Sequence, residues 1–201
     1  LTYTDEKDLA RKQQELQEKA AAHGIKMMED GNQFVVDYRW VIQHSARKVR
    51  DVAKTIRSTA RRQGYRSTRE LVGAFAAFVQ ALPYRIPPDF RVNEEGEEIL
   101  TAGAMMPLET LTNQWGDCDS KSMLFASLVR SIDLVDVSFI VLDGHLFAAV
   151  QLTPTHEDHI IRHNGSNWVL VELTDAWPIG RVPAKHLVGM KKGRYSFVDL
   201  D

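Results

Sequence analysis

Three side chains far apart in the 201-residue chain have the types that nucleophilic catalysis needs: the thiol of Cys118, the imidazole of His145 and the carboxylate of Glu172. A thiolate attacks carbonyl carbon, a neighbouring imidazole takes and returns its proton, and an acid fixes the imidazole's tautomer. Cys118 is the single cysteine, so no intrachain disulfide can form. It lies in Trp115-Gly116-Asp117-Cys118-Asp119-Ser120-Lys121-Ser122, where a loop ends at Gly116 and a helix starts. A lone cysteine is more often a small buried hydrophobe, but this one stands at a polar loop-to-helix junction. The first turn of a helix carries unpaired N–H groups and the positive end of the macrodipole. A thiol there is expected to acidify, and the same amides could hold an oxyanion. Asp117 and Asp119 oppose that by like-charge repulsion.

A base and an orienting acid are expected on neighbouring strands. His145 opens the apolar run Leu146-Phe147-Ala148-Ala149-Val150, and alternation puts His145, Phe147 and Ala149 on one face. Glu172 interrupts Trp168-Val169-Leu170-Val171-Glu172-Leu173-Thr174. A carboxylate in mid-strand is costly to bury unless paired, and an imidazole N–H is a suitable partner. Asp175, at the strand end, is the alternative acid.

The elements that position these groups follow from periodicity. Residues 5–23 read as a helix stopped by Gly24, 33–43 as a strand rich in β-branched and aromatic residues, and 46–63 as a helix. In that second helix Val49, Val52, Ala53, Ile56 and Ala60 share a face. Ser67-Thr68-Arg69-Glu70 spells a capping box for a helix through Leu71, Phe75 and Phe78, ended by Pro83. Residues 84–106 read as a long loop, and a further buried-face helix follows Asp117. Strands are expected over 137–152, 159–163 and 167–174, with Asn164-Gly165 as a hairpin turn. Helices first and strands later imply an α+β fold with an antiparallel sheet.

Pro107-Leu108-Glu109-Thr110-Leu111, Gly116-Asp117-Cys118-Asp119, the His145 strand and the Glu172 strand with Thr174 two residues on occur in this order. Together they resemble the signature of the transglutaminase-like superfamily, in its bacterial cysteine-peptidase branch. The likeness covers about 71–180. It implies a papain-like α+β fold with the nucleophile at a helix N-terminus on an antiparallel sheet. It divides the chain into an N-terminal helix-strand-helix extension, 1–66, packed on a catalytic core, 67–201. It also implies Cys118 as nucleophile, His145 as base, Glu172 as orienting acid and Gln80 as an oxyanion donor. Gln80 reads equally well as a polar residue near a helix C-terminus. Two departures stand out: Glu172 replaces the Asp usual in eukaryotic members, and an insertion over 154–167 is expected to remodel one side of the cleft. Asp117 and Asp119 are similar to the acids that hold calcium in some bacterial relatives, though two carboxylates are too few to define such a site. No other cofactor is implied.

The expected activity is acyl transfer through a thioester. Hydrolysis of a peptide or amide is preferred. Transfer to an amine, or a catalytically silent peptide-binding groove, are the alternatives. Net charge is −2, so no global basic field calls for nucleic acid. Between Arg39 and Arg69, however, ten Lys/Arg face the single acid Asp51. This reads as a solvated helix face, with a partner surface on 46–63 as the alternative. His156, His159 and His163 lack the spacing of a helical zinc pair, and Trp115 reads as a cleft wall or as packing. No apolar run approaches the roughly 18 residues of a membrane span. The chain begins at Leu1, as a processed or shortened product would. A lone thiol suits a reducing compartment and also a periplasmic enzyme with one working thiol; the extracytoplasmic reading is favoured.

Overall fold

The structure, a computed structural model, describes residues 4–28, 34–92, 96 and 98–200. Among these, six helices and nine strands form a mixed α+β architecture. Its centre is a five-stranded antiparallel sheet in the order β7-β8-β6-β5-β9. The strands are β5 (Val137–Leu142), β6 (His145–Gln151), β7 (Ile160–His163), β8 (Ser166–Val171) and β9 (Ser196–Val198). β5 and β6 turn at Asp143-Gly144, with Gly144 at φ +67°. β7 and β8 turn at Asn164-Gly165, both at positive φ, as a two-residue hairpin requires.

Each face of the sheet has its own cover. One face packs on α2 (Tyr38–Arg62), α3 (Thr68–Gln80) and α5 (Cys118–Arg130). Val41, Ile42, Val49 and Ala53 of α2 join Val72, Phe75 and Val79 of α3 and Leu124, Phe125 and Leu128 of α5 in a single core under Phe139, Ala148 and Val171. Burial of each such large side chain contributes about 1.5–3 kcal/mol. The other face carries Ile140, Phe147, Ala149, Trp168 and Leu170, with Phe197 of β9 beside them, beneath Leu187 and Met190 of α6 (Ala184–Lys191). Both β5 and β6 are therefore buried on both sides.

Local chemistry sets the helix starts. The Ser67 hydroxyl and the Glu70 carboxylate form the reciprocal capping box expected for α3. Asp117 caps α5, its carboxylate accepting from Ser120 N at 2.9 Å. Asp5 caps α1 (Glu6–Ala21), none of whose residues is buried.

Three expectations change. The strand placed at 33–43 shrinks to β2 (Phe34–Val36), paired with β1 (Ile25–Met27); Gln33 lies outside the described residues. Asp37 accepts from Trp40 N and opens α2 at Tyr38. Val41, Ile42, Ser45 and Val49 then follow helical spacing into the core, which outweighs their strand propensity. The long loop at 84–106 contains the short hairpin β3 (Phe90–Val92) and β4 (Glu98–Leu100). After it, α4 (Pro107–Asn113) occupies the Pro-Leu-Glu-Thr-Leu segment, with proline in the first turn. Finally, α6 and β9 follow the strands, and both are too short to show a period in sequence.

Candidate active site

The end of β8, the start of β6 and the N-terminus of α5 meet at one end of the sheet. His145 is the first residue of β6, and Glu172 follows β8 directly. Their side chains join, His145 Nε2 to Glu172 Oε2, at 2.9 Å, with 11% and 1% side-chain exposure. The other carboxylate oxygen, Oε1, accepts from Thr174 N at 2.7 Å and Thr174 Oγ1 at 2.6 Å. Burial works against the Glu172 anion, but the bonds from His145 and Thr174 prevail and hold its carboxyl below the usual range. An ionised carboxylate only accepts, so the proton sits on His145 Nε2. Nδ1 is then the basic nitrogen.

Cys118 is the first residue of α5 and is 8% exposed. The backbone amide of Leu146, the residue after His145, acts on its sulfur and favours the thiolate. The sulfur lies 3.9 Å from Asp119 Oδ2. Tyr84 lines the same cavity as His145 and Glu172, and its phenol is raised by burial first and then by Cys118 and the neighbouring carboxylates. Among the described residues no hydrogen bond joins Cys118 to His145; such pairs often tighten only when substrate is bound. The expected acidification of the thiol is overturned. Burial first, then the Asp119 and Asp117 carboxylates, push it up to about 12 against the opposing Leu146 and Asp119 amides. At neutral pH the sulfur is a thiol, and attack requires that a base take its proton.

Gln80 does something other than hold an oxyanion. Its Nε2 donates to the carbonyls of Glu172 and Trp177, each at 2.8 Å, so both amide protons are engaged. The oxyanion role expected for Gln80 is corrected accordingly: it ties the end of α3 to the strand end that carries the acid. The remaining donor at the sulfur is the first turn of α5, where a helix leaves its N–H groups without intrahelical acceptors.

Several groups that hold the site escaped the sequence. Lys121, fully buried one turn after Cys118, donates from Nζ to Leu82 O at 2.8 Å and caps the end of α3. Tyr38 of α2 donates to Asp119 Oδ1 at 2.6 Å; burial, then Asp119, raises its phenol. His186 of α6 stacks on the His145 ring. None has a local signature, because each meets its partner only across the fold. Gly116 allows the close packing ahead of the nucleophile. A Cβ there would sit 3.0 Å from Ser120 Cβ and 3.2 Å from Thr110 Cγ2.

The adjoining cavity, about 460 Å³, is walled by Tyr84, Trp177, Asp175, Pro183, Lys185 and His186 around His145 and Glu172. Its described lining draws on the loop after β8 and on α6. It includes neither Trp115 nor any residue of 154–167. The insertion instead runs to the sheet edge, where Asp158 pairs with Arg69 of α3 at 2.6 Å. Asp175, the alternative acid, binds Ala176 N and lines the cavity.

Ligand atoms of Asp117, Cys118 and Asp119 lie within 4.8 Å of one another. One Asp117 oxygen takes Ser120 N, one Asp119 oxygen takes Tyr38, and the third donor is a soft sulfur. Calcium asks for six to eight oxygens, so these side chains fall short of the calcium site considered from sequence.

Comparison with known proteins gives no match: no family model fits the chain, and no curated protein or solved structure does.

Proposed function

We propose that the protein is a cysteine-dependent acyl-transfer enzyme that hydrolyses a peptide or amide bond, with the papain-like arrangement of the transglutaminase-like superfamily. The observation that carries this reading is the buried His145–Glu172 pair at 2.9 Å, at the start of β6, with Cys118 at the N-terminus of the α5 helix packed on that strand. In this reading His145 Nδ1 takes the Cys118 proton as sulfur attacks the carbonyl carbon. The C=O electrons move to oxygen, which the α5 N-terminal amides stabilise. Collapse of the tetrahedral species expels the amine with the proton from His145 and leaves a thioester. Water, deprotonated by the same imidazole, then releases the acid and the thiol. Throughout, Glu172 stays ionised and supports the imidazolium.

The test is cleavage of a peptide and amide library by the unaltered protein and by Cys118→Ala, with mass-spectrometric capture of an acyl group on Cys118. Equal cleavage by both proteins overturns the mechanism. Product carrying an added amine would assign the transferase alternative. The second reading, a silent peptide-binding groove, is favoured by the burial of Cys118 and by the Asp119 carboxylate 3.9 Å from its sulfur, both of which work against a thiolate. Alkylation of Cys118 at neutral pH separates the two, because a thiol whose proton His145 can take reacts and an isolated buried thiol does not.

The basic face of α2 is the proposed partner surface. Lys54, Arg57 and Arg61 line one open groove on it. Salt-sensitive association that is lost on changing Arg61 and Arg62 would support this, and salt-independent behaviour would remove it. No helix among the described residues is long and apolar enough to cross a membrane.

A further inference from the structure

His186 lies in α6, an element that the sequence reading did not find. Its ring stacks on His145 with centroids 4.4 Å apart and planes 16° from parallel. Phe147 stands edge-on to both rings, at 4.6 Å from His145 and 5.3 Å from His186. One face of the His145 imidazole is therefore covered by His186 and Phe147 braces its edge, while Glu172 holds Nε2. We propose that His186 is a positioning residue: it fixes the plane of His145 by stacking, which keeps that imidazole set to accept the Cys118 proton. This rests on the Cys118–His145 reading above and deepens it.

Charge is what distinguishes this contact from ordinary packing. A cation stacked about 4 Å from His145 would oppose the imidazolium that forms when sulfur gives up its proton. Several charged or titratable groups face His186. His145 comes from β6 and Glu172 from the end of β8. Tyr84 and Asp175 line the shared cavity, and Lys185 is on its own helix. Burial, His145 and Lys185 hold the His186 imidazole below its ordinary range, against Glu172. Its surroundings thus work against a charge on this ring. When His145 becomes positive, the neutral ring offers it a π-face.

Three substitutions separate stacking from charge. The readout is the rate of Cys118 alkylation by iodoacetamide across pH 5–10, which needs no knowledge of the substrate. His186→Phe keeps a flat neutral ring, His186→Ala removes the ring, and His186→Arg keeps a flat stacked group with a fixed charge. At pH 7 the Ala protein should react about threefold more slowly than the Phe protein, the scale of one aromatic contact. The Arg protein should react about tenfold more slowly than the Phe protein, with the gap narrowing at alkaline pH. Equal rates for Phe and Ala would overturn the stacking role, and equal rates for Phe and Arg would overturn the charge role. In the unaltered protein, proton NMR should show His186 ring protons shifted upfield by the neighbouring imidazole; their absence from that region would also overturn the proposal. Cleavage activity is scored separately. Peptide hydrolysis with no difference among the three variants would sink this inference alone, while the expected alkylation pattern without hydrolysis would sink the acyl-transfer reading alone.

Discussion

The side-chain amide of Gln80 donates to the main-chain carbonyl of Glu172 at 2.8 Å, so the last residue of α3 fixes the backbone that carries the acid. The same nitrogen reaches Trp177 O at 2.8 Å, closing the loop that walls the cavity. Replacing Gln80 by Ala leaves two partly buried carbonyls without these donors. The expected cost is about 2 kcal/mol, seen as a lower urea midpoint. A Gln80→Ala protein of unchanged stability that cleaves about a hundredfold more slowly would instead reveal a direct oxyanion contact.

Glu172→Gln preserves shape and removes the charge. The new amide would present N–H to His145 Nε2, which must then accept, and the ring proton moves to Nδ1. That tautomer cannot take the thiol proton. Turnover should fall by about a hundredfold to ten-thousandfold, with little change in substrate affinity. Steady-state kinetics on any substrate that the library yields would check this, and a kcat within about twofold of the unaltered protein would remove Glu172 from the mechanism.

Asp119 raises the thiol, after burial, by repulsion across 3.9 Å. Asp119→Asn keeps an oxygen for the Tyr38 hydroxyl and deletes the like charge. The midpoint of Cys118 alkylation against pH should move down by about one unit. An unmoved or raised midpoint would mean that burial alone governs the sulfur.

The carboxyls of Asp158 and Glu172 both lie below their ordinary values of 3.8 and 4.5. For Asp158, burial opposes the anion while the Arg69 guanidinium and Thr155 N–H outweigh it. A carboxyl that binds its proton less readily when folded supports folding fully above its unfolded value. That support is lost as pH falls through the lower folded value. Urea stability should therefore hold down to about pH 4.5 and drop progressively below it. Asp158→Asn should be less stable than the unaltered protein by about 1–2 kcal/mol at pH 7 and show a shallower acid decline. Parallel curves for the two proteins would contradict this.

The sequence by itself determined the elements whose cues are local. The α3 capping box, the Asn164-Gly165 turn, the Asp117 start of α5 and the alternation in β6 depend on residues within a few positions of each other, and each has the expected form. The pairing of a histidine and a glutamate that each adjoin an apolar strand run was also legible, because burying either one alone is expensive. Only the tertiary structure decided the rest. Whether 38–43 is strand or helix turned on which face the core would cover. The work of Gln80 depended on where α3 ends relative to β8. The state of the thiol depended on how deeply α5 is buried and on which carboxylates face it, since the dipole that favours a thiolate is one contribution among several of similar size. His186, Lys121 and Tyr38 meet partners that lie 41, 39 and 81 positions away. No periodicity encodes such a meeting, because it is fixed by how helices pack on the sheet.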